Sequence, residues 1–478
     1  MNDYESYDAL GLADLVRRRE ASPLELLDSA LSLTEQRNGS LNAVVWADPE
    51  RARRAIADGL PQGPFHGVPF LVKDISAPVQ GFPATAGSRL FAGHVADTDS
   101  ELVRRHKAAG FVIFGMTTTP ELGMNPTSEA ALYGPPTRNP WDLSRSAGGS
   151  SGGAAAAVAG GIVPLAHASD GAGSIRTPAS SCGLFGLKPT RGRNPMGPKI
   201  GESWGGLGVT HAVSRTVRDS AALLDATHGG DPGAPYAAPD PGGSFLDAAM
   251  RPPSSLRIGL VEAMPGGAPV HADCLAALHE AAGLCADLGH HVEPTRYPDV
   301  DYEALFQAHC LVIAAGSAAS IDAETLKRGR PLRDGEVEFS THDAAEFARR
   351  CSAVDYGKAV GAFHAVGRRM AVLLQRFDVL LTPTLAEPPA ELGRFVTSLP
   401  FMELRRKVSA YAGFLPTANY TGQPAVTVPL YWNENNLPIG VQVLGPFGGE
   451  RVLFALSGQL EMARPWFHRR PAAFAASA

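Results

Sequence analysis

Apolar positions along the chain follow two rhythms, one of helices and one of strands. Leu24, Leu27, Ala30, Leu31 and Leu33 recur at helical spacing behind Ser22-Pro23-Leu24-Glu25. A serine cap, a first-position proline and a glutamate at the third position are a helix start signal. The first forty residues therefore read as two helices. Gly67 to Asp74 is a short apolar run that stops abruptly in charge, which predicts a buried strand with Lys73 at its exit. A helix over Ser100–Ala109, ended by Gly110, and a strand over Phe111–Gly115 come next. Strand, helix, strand is the rhythm of an α/β fold.

Further on, Leu256–Val261 reads as a strand, Ala272–Leu288 as a helix and His291–Pro294 as a strand. A long helical zone covers about Asp343–Arg376, and a strand over Asp378–Leu381 ends at Thr382-Pro383-Thr384. Ala425–Leu430 and Gly440–Leu444 flank a polar turn at Asn433–Leu437, and Glu450–Met462 closes as a helix. Gly229 to Ser255 is rich in Gly, Pro, Asp and Ala and reads as a surface excursion. Elements continue on both sides of it. The expectation is one α/β unit over 1–478: N-terminal helices about 1–60, a core about 65–225, the excursion about 229–255 and a C-terminal part about 256–478.

Composition adds limits. Of 478 residues, 44% are hydrophobic and 19% charged, which is ordinary for a globular chain. The formal net charge is −6, so no basic surplus exists to hold a phosphate backbone and nucleic acid is not an expected partner. The five cysteines, Cys182, Cys274, Cys285, Cys310 and Cys351, include no Cys-x-x-Cys pair. That argues against a disulfide framework or thiolate zinc site and suits a reducing cytosol. Met1-Asn2-Asp3-Tyr4-Glu5 lacks the apolar run of a signal peptide. No stretch reads as the roughly 18–20 strongly apolar residues of a membrane span. The expectation is a cytoplasmic protein with no membrane contact.

Residues 145–195 are packed with Gly, Ser and Ala. A flexible linker is the plain alternative, but Ile162, Val163, Leu165, Leu184, Phe185 and Leu187 interrupt the segment at intervals. Short elements joined by tight turns account for them. Two serines stand in its glycine-rich turns, in Gly148-Gly149-Ser150-Ser151-Gly152-Gly153 and in Ser169-Asp170-Gly171-Ala172-Gly173-Ser174. The N–H groups of Gly171, Ala172, Gly173 and Ser174 can converge on developing negative charge, the first requirement of acyl transfer. The second is a base, because a serine hydroxyl is a weak nucleophile until its proton is taken. A desolvated lysine can do this. Lys73 is the candidate, with a second serine as relay where lysine and nucleophile do not touch.

The run Gly148 to Gly153, with Asp170, Ser174, Ile175, Arg176 and Pro178, resembles the long motif of the amidase signature family. So do Val72-Lys73-Asp74, Gly186-Leu187-Lys188-Pro189-Thr190, Pro383-Thr384 and Gly440-Val441-Gln442. The resemblance implies the amidase-signature fold, a large mixed twisted β-sheet covered by helices on both faces. It implies a triad of Lys73, Ser150 as bridging serine held by a cis peptide to Ser151, and Ser174 as nucleophile. The oxyanion hole falls on Gly171, Ala172, Gly173 and Ser174; Ser151, Asp170 and Arg176 support it. No cofactor or metal is implied. Many relatives carry Thr-Gly-Gly where this chain has Gly171-Ala172-Gly173; Ala still donates its N–H.

The details resemble the branch that includes 6-aminohexanoate cyclic-dimer hydrolase, aryl acylamidases and urethane-cleaving hydrolases. These details are the run 169–174, Lys188 to Arg193, Pro465-Trp466 and Arg469-Arg470-Pro471. Cys310 falls near a cysteine that lines the site in that branch. Met124, Tyr133, Arg193, Trp204 and Cys310 are the expected pocket residues. The implied partner is a small-molecule amide, carbamate or ester, and the implied assembly a monomer or homodimer.

Two other functions stay open at this point. One is a glutaminase-type subunit of a tRNA-dependent amidotransferase, which needs partner chains. The other is a non-catalytic binding module, which the presence of all three triad residues disfavours. Three sequence decoys fail on context. Gly201-Glu202-Ser203-Trp204-Gly205 spells a nucleophile elbow but is flanked by Pro195, Gly197, Pro198 and Gly206 rather than by strand and helix. The 148–153 run lacks the Gly-Lys-Ser/Thr of a phosphate loop, and His279-Glu280 lacks the second histidine of a zinc helix.

Overall fold

The computed structural model describes Met1 and residues 3–474; Asn2 and residues 475–478, part of the N- and C-terminal readings above, lie outside the described residues. Its strands are β1 (Val44–Ala47), β2 (Pro69–Lys73), β3 (Val112–Thr117), β4 (Arg138–Asn139), β5 (Asp142–Ser146), β6 (Leu165–Asp170) and β7 (Phe185–Lys188). They continue with β8 (Val209–Ser214), β9 (Arg257–Leu260), β10 (His291–Pro294), β11 (Val379–Pro383), β12 (Ala425–Trp432) and β13 (Pro438–Leu444). Eleven form one sheet in the order β1-β3-β2-β6-β8-β7-β12-β13-β11-β9-β10, and β4 pairs only with β5. Pairing is mixed. β2 runs parallel to β3 and β6, whereas β6 and β8 are antiparallel in continuous register from Leu165↔Ser214 to Asp170↔Val209. Helices flank the sheet, as the α/β reading expects.

Central strands β2, β3 and β6 are buried at every position, which is why β2 and β3 read as nearly continuous apolar runs rather than alternations, while β6 buries His167, Ser169 and Asp170 as well. The helix Pro23–Leu41 begins with a complete capping box between Ser22 and Glu25. Its apolar face packs with the helix Gly152–Ala159, whose eight residues are all buried and none larger than valine. Small side chains let that helix lie close to the sheet, and this sets the position of the serines just before it. Each larger apolar side chain fully buried here contributes about 1.5–3 kcal/mol.

Several boundaries differ from the sequence reading. Residues 229–255 are not simply an excursion: Phe245–Ala249 is a helix, Phe245 and Ala249 are buried, and Phe245 packs with Phe454. The zone 343–376 is two helices, Phe339–Arg349 and Ala353–Leu373, with a capping box at Ser352 starting the second. The longest helix, Tyr302–Arg328, was not anticipated. Its first half is buried almost without a break from Ala308 to Ala314, so it carries no polar stripe to reveal a helical period. By length and composition it is also apolar enough to cross a membrane, which the sequence reading missed; 61% of that window is buried within the protein.

Candidate active site

Lys73 is the last residue of β2, and its side chain is completely buried. Its Nζ lies 2.6 Å from Ser150 Oγ and 3.0 Å from Ser169 Oγ. Burial pulls the amine down to about 7, against the opposing pull of the Asp170 charge. A low pKa alone does not mark a base here. Lys188 is equally buried and also brought down to about 7, chiefly by burial, but its Nζ donates to the carbonyl of Pro189 at 2.7 Å. Among these two lysines, Lys73 is the one that faces hydroxyls.

Ser150 precedes the helix Gly152–Ala159 and is 2% exposed. Among the described residues, the non-proline cis peptide bond is Gly149–Ser150, one position before the expected Ser150–Ser151 bond. Ser151 is committed elsewhere. Its N–H donates to Ser174 O at 3.2 Å, its hydroxyl donates to Ser169 O at 3.2 Å, and it accepts from Ser169 N–H at 3.3 Å. These bonds tie the 150 turn, the end of β6 and the 174 turn together. Ser128 Oγ adds a brace, accepting from Gly152 N–H at 3.0 Å.

Ser174 stands before the helix Arg176–Cys182 and lines a cavity of about 340 Å³ together with Gly149, Ala172 and Gly173. The expected four-donor hole loses one member. Gly173 N–H donates to Asp170 Oδ1 at 2.6 Å, and Ile175 N–H to Oδ2 at 3.2 Å. The N–H groups of Gly171, Ala172 and Ser174 have no partner among the described residues. Gly173 has φ of +120°, and a Cβ there would stand 2.5 Å from Leu415 Cδ1, so both conformation and space require glycine. At Gly171 the reason is space alone, since a Cβ would meet the Trp204 ring at 2.7 Å.

Asp170 and Arg176 form a fully buried ion pair, with Nε–Oδ2 at 3.0 Å and Nη2–Oδ1 at 3.1 Å. Burial alone would raise the Asp170 pKa, but the Arg176 guanidinium prevails and holds the carboxyl below its usual range. Arg176 also donates to Leu415 O, Gln442 Oε1 and Asn419 Oδ1. The pair therefore braces the turn rather than facing the cavity.

Pocket residues separate into two groups. Met124 and Trp204 line the cavity. Tyr133 does not: its hydroxyl donates to Asp74 beside Thr85. Arg193 does not either, because two 3.0 Å bonds hold it to buried Glu450. Cys310 lies behind the wall, packed with Ala314, Ala344 and Phe401, where burial pushes its thiol up to about 12. Phe306, His309 and Ile313 of the same helix reach the cavity instead.

Sequence reasoning missed Ser169, Asn125, Asn419 and Arg405. Ser169 had a signal, since Leu165–Asp170 places His167, Ser169 and Asp170 in a strand buried on both faces. Asn125 lines the cavity with its Oδ1 unpartnered among the described residues. Arg405 sits within Leu404-Arg405-Arg406-Lys407, which looks like a solvated face.

The family described as Amidase matches residues 25–454. The 6-aminohexanoate-cyclic-dimer hydrolase of Paenarthrobacter ureafaciens is 37% identical over 482 residues, covering 97% of this chain and 96% of that protein. An acylamidase of Rhodococcus erythropolis is 33% identical over 475 residues, 97% of each. The solved structure of 6-aminohexanoate cyclic dimer hydrolase complexed with substrate superposes with a TM-score of 0.93 at 35% identity, over 99% of this chain and 100% of that one. A bacterial aryl acylamidase of the amidase signature enzymes gives 0.86 at 30% identity, over 96% of each. A buried lysine on a serine hydroxyl, glycine-rich turns at the cavity floor and matches over nearly the full length lead to one conclusion: the chain belongs to the amidase signature family, hydrolases that act on amide C–N bonds.

Proposed function

We propose that the protein cleaves the amide C–N bond of a small molecule through an acyl-enzyme on Ser174, with Ser150 as proton relay and Lys73 as base. The observation that carries this reading is Lys73 Nζ, fully buried with its pKa near 7, at 2.6 Å from Ser150 Oγ. Neutral Lys73 takes the Ser150 proton as Ser150 takes the Ser174 proton, and Ser174 Oγ bonds to the substrate carbonyl carbon. The resulting oxyanion is received by the N–H groups of Gly171, Ala172 and Ser174. Ser150 passes a proton to the leaving nitrogen as the C–N bond breaks, and Lys73 returns its proton to Ser150. Water then attacks the ester by the same relay and releases the acid. Esters and carbamates are open to the same nucleophile. Ser169 Oγ gives Lys73 Nζ a second hydroxyl contact, at 3.0 Å.

The test is Ser174→Ala assayed against aryl, alkyl and cyclic amides, carbamates and esters. Turnover of every accepted substrate falls by at least about 10³-fold while the thermal midpoint stays within a few degrees of the parent. Normal activity in this variant would overturn the assignment.

A further inference from the structure

Among the described residues, the wall of this cavity contains a buried cation with no ion-pair partner. Arg405, on the helix Phe401–Ala412, is 7% exposed and lines the cavity that Ser174 also lines. One of its N–H groups donates to the carbonyl of Met124. A guanidinium has five such donors. No carboxylate forms an ion pair with it among the described residues, although Glu121 and Glu338 line a small cavity that it also lines; Cys310, Tyr420 and His309 are titratable neighbours. Arg176 and Arg193 are buried at least as deeply, and each meets a buried carboxylate, Asp170 and Glu450. The adjacent Arg406 lies over the Phe306 ring at 4.1 Å and is paired at the rim with Glu303. The wall of the same cavity also carries the apolar side chains of Met124, Trp204, Phe306, Ile313 and Val408.

Removing a guanidinium from water without a counter-charge is costly. One carbonyl bond does not offset it, and planar donor pairs of this kind match carboxylates. We infer that Arg405 anchors a carboxylate carried by the substrate, so that the amides this enzyme prefers are anionic. One end of the substrate sits on the guanidinium while its amide carbonyl reaches Ser174. This rests on the proposed function, in that the amide occupies this cavity. Arg405 is a specificity residue here and takes no part in bond breaking.

Binding separates the anchor from the chemistry. In Ser174→Ala protein, calorimetry compares an ω-carboxyacyl anilide with its methyl-terminated acyl anilide, and an N-acyl ω-amino acid with the matching N-alkyl amide. The carboxylate member of at least one pair binds at least about 30-fold more tightly; the pair that responds tells whether the acyl or the amine half carries the charge. Adding Arg405→Met brings that ratio to within about 3-fold, and Arg405→Lys, which keeps the charge without the fork, leaves an intermediate ratio. Melting curves of both variants verify folding, and the lysine variant decides the matter if the methionine variant does not fold. Equal binding within both pairs by the Ser174→Ala protein, or an undiminished ratio in the Arg405 variants, overturns the anchor. Turnover of the same probes by the unmodified enzyme reports on the catalytic reading. Preference without turnover sinks that reading alone, and turnover without preference sinks the anchor alone.

Discussion

An amine can accept a proton only while it lacks one, so in the proposed mechanism the environment of Lys73 decides at what pH the relay runs. Burial brings it to about 7, and the nearby negative charge of Asp170 limits how far it falls. The active form is the neutral one. The expectation is that kcat/KM for an amide rises through about pH 7 and levels off above it, falling about tenfold per unit on the acid side. A profile flat from pH 5 to 9 would exclude Lys73 as the base. Lys73→Ala separates substrates further: an amide nitrogen needs a proton to leave and an ester oxygen needs less help, so amide cleavage loses more than ester cleavage, by about tenfold or greater. Equal losses on a matched amide and ester would contradict this role. The place of Lys73 at the end of a buried strand was legible because an apolar run ended in a charge. Cys310, Tyr133 and Arg193 were misplaced because their settings depend on distant partners, Phe401, Asp74 and Glu450, and no local pattern carries a contact with a residue far along the chain.

At the scale of elements, the end of β6 and the helix Arg176–Cys182 are held in register by one buried ion pair. That helix has seven residues and no side-chain cap at its N-terminus, so its turn is ordered chiefly by Asp170, which accepts from Gly173, Ile175 and Arg176. Arg176→Met leaves the carboxylate buried without its partner. The expected loss is about 3–5 kcal/mol of stability, read as a shift of the urea midpoint, with turnover falling as the turn loosens. A loss under about 1 kcal/mol would mean the pair does not order the turn. Other elements were legible to the degree that one face differs from the other. The helix Pro23–Leu41 carries its start signal in four residues, and the strands of the sheet are bounded by turn residues. The helix Tyr302–Arg328 gave no such contrast, because the helices Phe339–Arg349 and Ala353–Leu373 both pack against it and cover much of its first half. The Gly/Pro-rich 229–255 segment misled in the opposite sense: its turn residues are frequent, but Phe245 makes it part of the core.

Across the whole molecule, the sheet carries a conditional stability in its buried imidazoles. His167 lies on β6, His211 on the neighbouring β8 and His106 on the helix Glu101–Ala108, all buried. His106 Nδ1 and Nε2, His167 Nε2 and His211 Nδ1 have no partner among the described residues. Burial is the main cause that brings His106 and His211 down to about 3 and His167 well below the ordinary imidazole range. In the unfolded chain these groups take protons below about pH 6.5. The unfolded state therefore binds more protons in that range, and stability rises with pH there. The contribution is fully present above about 6.5 and is lost as pH falls toward about 3, at up to about 1.4 kcal/mol per unit for each residue. Buried carboxylates with raised pKa values, Glu121 and Glu461 to about 7 and Asp219 well above the usual range, act in the opposite sense over the same interval. The histidine part is therefore read as a difference between parent and variant, from urea midpoints at pH 6 and 4.5. His106 packs against Phe70 and Phe111, so His106→Phe keeps an aromatic ring in place while removing two unpartnered nitrogens. That variant is expected to be about as stable as the parent at pH 7.5 and to gain on it by up to about 1.4 kcal/mol per pH unit as pH falls from 6 to 4.5. An unchanged slope would show that His106 is not among the groups whose protonation drives acid unfolding.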